Sequence, residues 1–235
     1  MQASFGPMHT TKKNITAAFA AVVLSLATVP GRAQVFTETG DAGDTLATFA
    51  TTGSSGSLTE IDGTIFGGSD VDLFVISITD TSLFSASTVN ATTSIDTQLY
   101  LFTLSGTAVI GNDDASALSF QSTIPAGSLS LLSPGTYVLA ISLSGNNPVN
   151  SSSQLLFTGY GADTTAILTG ASGVNPTTLD GFDGFTYFDE AGSYSIALTG
   201  AAVSAVPEMS TTALGFGLVA LAGSFWLRRR QAPVG

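Results

Sequence analysis

From Gln34 to Glu208 the chain carries no lysine, arginine, histidine or cysteine, yet this stretch holds all 17 of its carboxylates. The six Lys and Arg residues (Lys12, Lys13, Arg32, Arg228, Arg229, Arg230) and the one histidine, His9, stand outside it. A fold built from such a stretch has no internal salt bridge and no disulfide, so burial and hydrogen bonds supply its stability. The same census excludes whole classes of function. Nucleic-acid binding draws on Lys and Arg for phosphate contacts. Serine or cysteine hydrolysis needs a nucleophile with a His or Lys base, and zinc needs His or Cys donors.

The two ends read as addresses. Lys12-Lys13 precede the apolar run Ile15 to Ala27, and Gly31-Arg32-Ala33 sets small residues before a cut between Ala33 and Gln34. That is the layout of a secretory signal over residues 1–33. At the other end Val206-Pro207-Glu208 leads into the uncharged, proline-free run Ala213 to Leu227, and Arg228-Arg229-Arg230 follows at once. As a helix this run satisfies its own backbone in lipid, and three guanidinium groups stop it at the cytoplasmic face. At about 1.5 Å per residue it reaches roughly 22 Å against a hydrocarbon core of ~30 Å, so it is a short anchor. The order of short motif, apolar segment and basic cluster over 204–230 resembles the PEP-CTERM sorting signal of exported bacterial proteins. The resemblance implies recognition by a membrane-embedded exosortase, after signal peptidase has acted at the other end. Pro207 and Glu208 match the motif, and Met209 stands where that family has its second proline. An ordinary single-pass anchor is the alternative.

Between the ends, short runs of strand-forming residues alternate with Gly, Ser, Thr and Asn. Glu38 to Thr45 is a polar turn cluster, and Leu46 to Ala50 is an edge strand or a short helical turn. Ser57 to Ile61 is expected to turn back at Asp62-Gly63 as a hairpin. Val71 to Ile78 sets Val71, Leu73 and Val75 on one face and Asp72, Phe74, Ile76 and Ile78 on the other, the mark of a central strand apolar on both sides. Leu83 to Val89 is weaker. Asp96 to Leu104 is strong, and Ser105-Gly106 turns it into Ala108 to Ile110. Pro134-Gly135-Thr136 opens Tyr137 to Leu143, with Tyr137, Leu139, Ile141 and Leu143 sharing a face, and Ala191-Gly192-Ser193 opens Tyr194 to Leu198 in the same way. Gly145 to Asp189 reads as a loop-rich insert. The pattern predicts an all-β, antiparallel, jelly-roll-like β-sandwich over 34–203, flanked by a signal helix and a transmembrane helix.

The succession Ser69-Asp70-Val71-Asp72-Leu73-Phe74, Asp96-Thr97-Gln98-Leu99-Tyr100, Gly111-Asn112-Asp113-Asp114 and Pro134-Gly135-Thr136-Tyr137 resembles the bacterial pre-peptidase C-terminal domain. Those domains are β-sandwich accessory modules of secreted peptidases and surface proteins, and no peptidase region accompanies this one. Asp70 and Asp72 lie two apart, with Asp113-Asp114 on a turn expected to approach them. Converging carboxylates without an organic cation call for a hard metal ion, and calcium takes six to eight oxygens. The plainer reading makes Asp70 and Asp72 strand-end caps and Asp113-Asp114 turn formers.

These observations point to an exported, non-enzymatic protein of the cell surface, outer membrane or extracellular matrix, held in the membrane by its tail before sorting. Its sandwich is expected to serve adhesion, and the exosortase resemblance implies an exopolysaccharide or biofilm setting. Two other classes stay open. A carbohydrate-binding module would show exposed coplanar aromatics near Phe182 to Phe188, and a carboxylate-pair glycosidase would show two acids facing each other across a cleft.

Overall fold

The computed structural model describes residues 32–160, 164–187 and 190–204. Their regular elements are all strands: β1 (Ala33–Thr37), β2 (Ala50–Thr51), β3 (Ser57–Ile65), β4 (Val71–Ile78), β5 (Ser85–Ser87), β6 (Thr97–Thr103), β7 (Ala108–Asn112), β8 (Thr123–Ile124), β9 (Gly135–Leu143), β10 (Pro148–Val149), β11 (Phe157–Thr158), β12 (Ile167–Gly170), β13 (Gly181–Phe182), β14 (Gly192–Thr199) and β15 (Ala201–Val203). One sheet runs in the order β11-β12-β7-β6-β9-β4-β15-β3-β14-β5-β8, with β1 added parallel to β3 and β2 parallel to β4. Every other pairing is antiparallel, including the separate pair of β10 and β13. Among the described residues no helix is long and apolar enough to cross a membrane. The apolar runs at 15–27 and 213–227, with Val206, Pro207, Glu208 and Arg228 to Arg230, lie outside the described residues.

The expected central strand is central, because its two apolar faces each find a core. Phe74, Ile76 and Ile78 join Leu99, Leu101, Tyr137, Leu139, Ile141 and Leu143 on one side of β4, β6 and β9. The sheet curls so that this face meets Leu58, Ile61, Ile65, Tyr194, Ile196 and Leu198 of β3 and β14. The corner is β15, which pairs with β4 through Ala201 and Ile78 and with β3 through Ala202 and Ser57. Gly200, at φ +64°, makes the corner possible: a Cβ there would lie 2.7 Å from the Asp80 carbonyl oxygen and 2.8 Å from the Phe84 nitrogen.

Val71, Leu73, Val75, Tyr100, Phe102, Val138 and Ala140 point the other way, into a second core. The stretch after Gly145, expected from its sequence to be a loop-rich insert, covers them. It supplies β10 to β13, adds β11 and β12 to the main sheet, and buries Leu156, Phe157, Leu168 and Leu179. Phe157 stands 5.1 Å from Tyr100 and 5.5 Å from Phe102, ring centre to ring centre. Its apolar residues are too sparse to show periodicity, but the face they cover was already apolar in β4, β6 and β9.

Asp62-Gly63 is not a turn. β3 runs through it, and Gly63 pairs with Tyr194 of β14. A Cβ at Gly63 would sit 2.2 Å from the Tyr194 hydroxyl and 2.4 Å from Glu38 Oε2, so the glycine is there to let a ring and a carboxylate lie over the strand. Both readings of 46–50 are met in succession. Phe49 N donates to the Thr45 carbonyl at 3.0 Å in a helical turn, and β2 follows.

Candidate functional site: two carboxylate clusters on one rim

The register sets the start of β4, the start of β6 and the end of β9 together, since Val71 pairs with Ser142 and Thr97 with Leu143. The end of β7 joins them through Leu99 and Asn112. This rim gathers all four sequence-predicted ligands, Asp70, Asp72, Asp113 and Asp114, but into two clusters. Oxygens of Glu38, Asp41 and Asp72 come within 4.8 Å of one another, as do those of Asp41, Asp44 and Asp70. Asp96, Asp113 and Asp114 form the other group, under the same limit of 4.8 Å. Asp70 and Asp72 therefore do not share a site with Asp113 and Asp114. The strand order β4-β9-β6-β7 puts three strand spacings, about 14 Å, between the strands that carry them.

The first cluster is tied to the backbone. Glu38 accepts from the Ala42 nitrogen at 2.6 Å and from the Thr64 nitrogen at 2.9 Å. Asp41 accepts from the Gly43 nitrogen at 2.8 Å and Asp44 from the Val71 nitrogen at 3.3 Å. Asp70 precedes β4 and accepts from the Phe66 nitrogen at 2.5 Å, the capping role of the plainer reading. Asp72 differs. It is wholly buried, its Oδ2 accepts from the Tyr194 hydroxyl at 2.6 Å, and its Oδ1 has no hydrogen-bond partner. Burial raises its pKa well above the ordinary carboxylate range, Tyr194 opposes the shift, and the charges of Glu38 and Asp70 add to it. Burial and the same Asp72 charge push the Tyr194 hydroxyl up in turn.

The second cluster lines a cleft of about 470 Å³ with Gln98, Phe120, Ser144, Asn147, Tyr160 and Tyr187 among its walls. Asp113 is 9% exposed, and Ser144 and Gln98 donate to it. Gln98 Oε1 accepts from the Tyr100 hydroxyl at 2.8 Å, and Tyr100 accepts from Tyr160 at 3.2 Å, so a polar chain runs from the cleft wall to the carboxylate. Asp96 Oδ1 and Asp113 Oδ1 are both sealed from solvent without a partner. Burial first, then the charges of Asp113, Asp114 and Glu190, pushes Asp96 up to about 7. Burial and the Asp114 charge push Asp113 up to about 6 against the bonds from Ser144 and Gln98.

Sequence reasoning passed over Asp96, although counting back from the Ser105-Gly106 turn along both strands sets it across from Ala115, one residue from Asp114. It also left Glu38, Asp41 and Asp44 as mere turn residues. Ala33 and Gln34, the expected cleavage site, open β1, with Ala33 exposed and Gln34 Nε2 donating to the Ser55 carbonyl at 2.7 Å. Of the acidic aromatic stretch, Phe182 packs against Tyr100 at 6.1 Å. Phe185 and Tyr187 are exposed but meet edge to face at 85°, so they are not coplanar. No protein-family model, curated protein or solved structure matches the chain.

Proposed function

We propose that this is an exported protein, sorted to the cell surface or extracellular matrix by an exosortase, whose jelly-roll-like β-sandwich of the pre-peptidase C-terminal type adheres and does not catalyse. The observation that carries the reading is the division of charge: every cation stands in the two end segments, around apolar runs, and every carboxylate except Glu208 of the sorting motif stands between them. The adhesive role in exopolysaccharide or biofilm material is what the exosortase resemblance of the tail implies. The test is an intact-mass measurement on the protein from its host. A C-terminus near Glu208 supports sorting, and a tail that still ends beyond Arg228 to Arg230 replaces it with permanent anchoring.

In this reading the first cluster takes a structural calcium ion. Its donors are all hard oxygens, Asp72 Oδ1 lacks a partner, and an ion there would fasten the 38–44 loop to the start of β4. The protein should melt higher in calcium than in chelator, and superimposable melts would remove the ion. The glycosidase reading finds little support, because carboxylates in reach of each other's oxygens leave no room for a sugar between them. The carbohydrate-module reading lacks the coplanar aromatic pair it expects.

A further inference from the structure

Asp96, Asp113 and Asp114 converge where the chain offers nothing to neutralise them. Among the described residues the one basic side chain is Arg32, on the exposed approach to β1. The amide groups around them are engaged elsewhere. Thr97 N donates to the Phe120 carbonyl at 3.0 Å, Asp114 N to Thr164 at 2.9 Å and Ala115 N to Gln121 at 2.7 Å. Two buried oxygens therefore remain, Asp96 Oδ1 and Asp113 Oδ1, and the second belongs to a side chain more than nine-tenths buried. A buried acceptor left alone is costly, more so when charged, so the arrangement is incomplete without a further group.

We propose that these three carboxylates bind a calcium ion in the cleft, separate from the ion at Asp70 and Asp72, with part of its coordination shell open to the cleft. The span fits: oxygens on opposite sides of an ion bound at about 2.4 Å stand about 4.8 Å apart, the limit within which the three donors lie. The donors are preorganised. Asn112 Nδ2 donates to the Asp114 carbonyl at 3.1 Å while its Oδ1 accepts from the Thr123 nitrogen at 2.7 Å, which fixes the end of β7. Ser144 and Gln98 hold the other side of Asp113. Three carboxylates supply at most six oxygens, and a flexible shell of six to eight suits calcium better than the strict octahedron of magnesium. The remaining positions face Asn147, Tyr160 and Tyr187, a wall suited to a hydroxylated ligand that displaces water from the ion.

The test counts calcium on the full-length protein by equilibrium dialysis and reads terbium emission sensitised by tyrosine, since Tyr160 and Tyr187 line the same cleft. The Asp96→Asn/Asp113→Asn double variant should lose one calcium per chain and the part of the terbium emission sensitised by Tyr160 and Tyr187, keeping the part sensitised by Tyr194 beside Asp72. The Asp41→Asn/Asp70→Asn double variant should do the reverse, keeping the cleft ion with the emission sensitised by Tyr160 and Tyr187 and losing the Tyr194 share, so the two sites fail independently. Calcium stoichiometry and affinity unchanged in the cleft variant would overturn the proposal. If that variant does not fold, Asp114→Asn alone, at the more open side of the cluster, should weaken calcium binding by about tenfold or more, and an unchanged affinity there would overturn it equally.

Discussion

The two carboxylate clusters share a rim, a residue type and a lack of basic partners, yet they are built differently. In the first, a loop rich in glycine wraps over a strand start, and backbone amides of turns (Ala42, Gly43, Phe66) and of strands (Thr64 of β3, Val71 of β4) donate to Glu38, Asp41, Asp44 and Asp70. In the second, the carboxylates stand at the ends of paired strands, where the nearby amides already bond to carbonyls. The loop carboxylates are satisfied by the backbone they organise, whereas Asp72 within β4 and Asp96 and Asp113 at strand ends each keep a buried oxygen without a partner. The difference lies in where donors are free, not in which residues are acidic.

The largest effect expected of a single substitution is in the second core, which backs the second cluster through Tyr100. Phe157→Ala removes the ring under Tyr100 and Phe102 and should cost about 4 kcal/mol in denaturant unfolding, with or without calcium. A cost near zero would mean that the 145–187 segment is no part of the core. Gly63→Val attacks the first cluster by overpacking Tyr194 and Glu38, and should cost about 3 kcal/mol by the same measurement.

The pH dependence in chelator separates the clusters from ordinary surface acids. Asp72, Asp96 and Asp113 have folded pKa values raised above 3.8, so the stability they contribute is present below that value and is lost as pH rises through the folded values, about 6 for Asp113 and about 7 for Asp96. The chelated protein should therefore melt lower at pH 8 than at pH 5, by about 2 kcal/mol after allowance for solvent screening, or roughly 4–8 °C. Saturating calcium should flatten the slope, and a chelated protein that gains stability over this range would contradict the account. The smallest contrast pairs one substitution at both clusters. Tyr194→Phe takes the Tyr194 hydrogen bond from buried Asp72 and should cost about 1.5 kcal/mol, whereas Tyr160→Phe, one step removed from Gln98, should cost under ~1 kcal/mol.

Much of the fold was legible where burial is symmetric. β4, β6, β9 and β14 could be read because alternation along each strand reports two faces, and the Tyr137, Leu139, Ile141 and Leu143 face lies in the core to which its spacing assigned it. The second core was half legible: Val71, Leu73 and Val75 announced an apolar outer face, but the four residues that cover it most deeply are scattered through Ser, Thr and Gly. Asp62-Gly63 misled because a glycine admitting a ring over a strand and a glycine opening a turn look alike in one dimension. Only the partner strand, with Tyr194 opposite, tells them apart.

By itself the sequence determined that the body of this protein contains no base to answer its acids, and that several strands must be covered on both sides; composition and period are local properties and need no partner to be read. The tertiary structure decided which acids meet. Interposing β9 between β4 and β6 parted Asp70 and Asp72 from Asp113 and Asp114, and the β6-β7 hairpin brought Asp96 to the latter pair. Strand order is a choice among long-range pairings that alternation leaves equally good, so the positions of these charges relative to one another exist only once the sheet has closed.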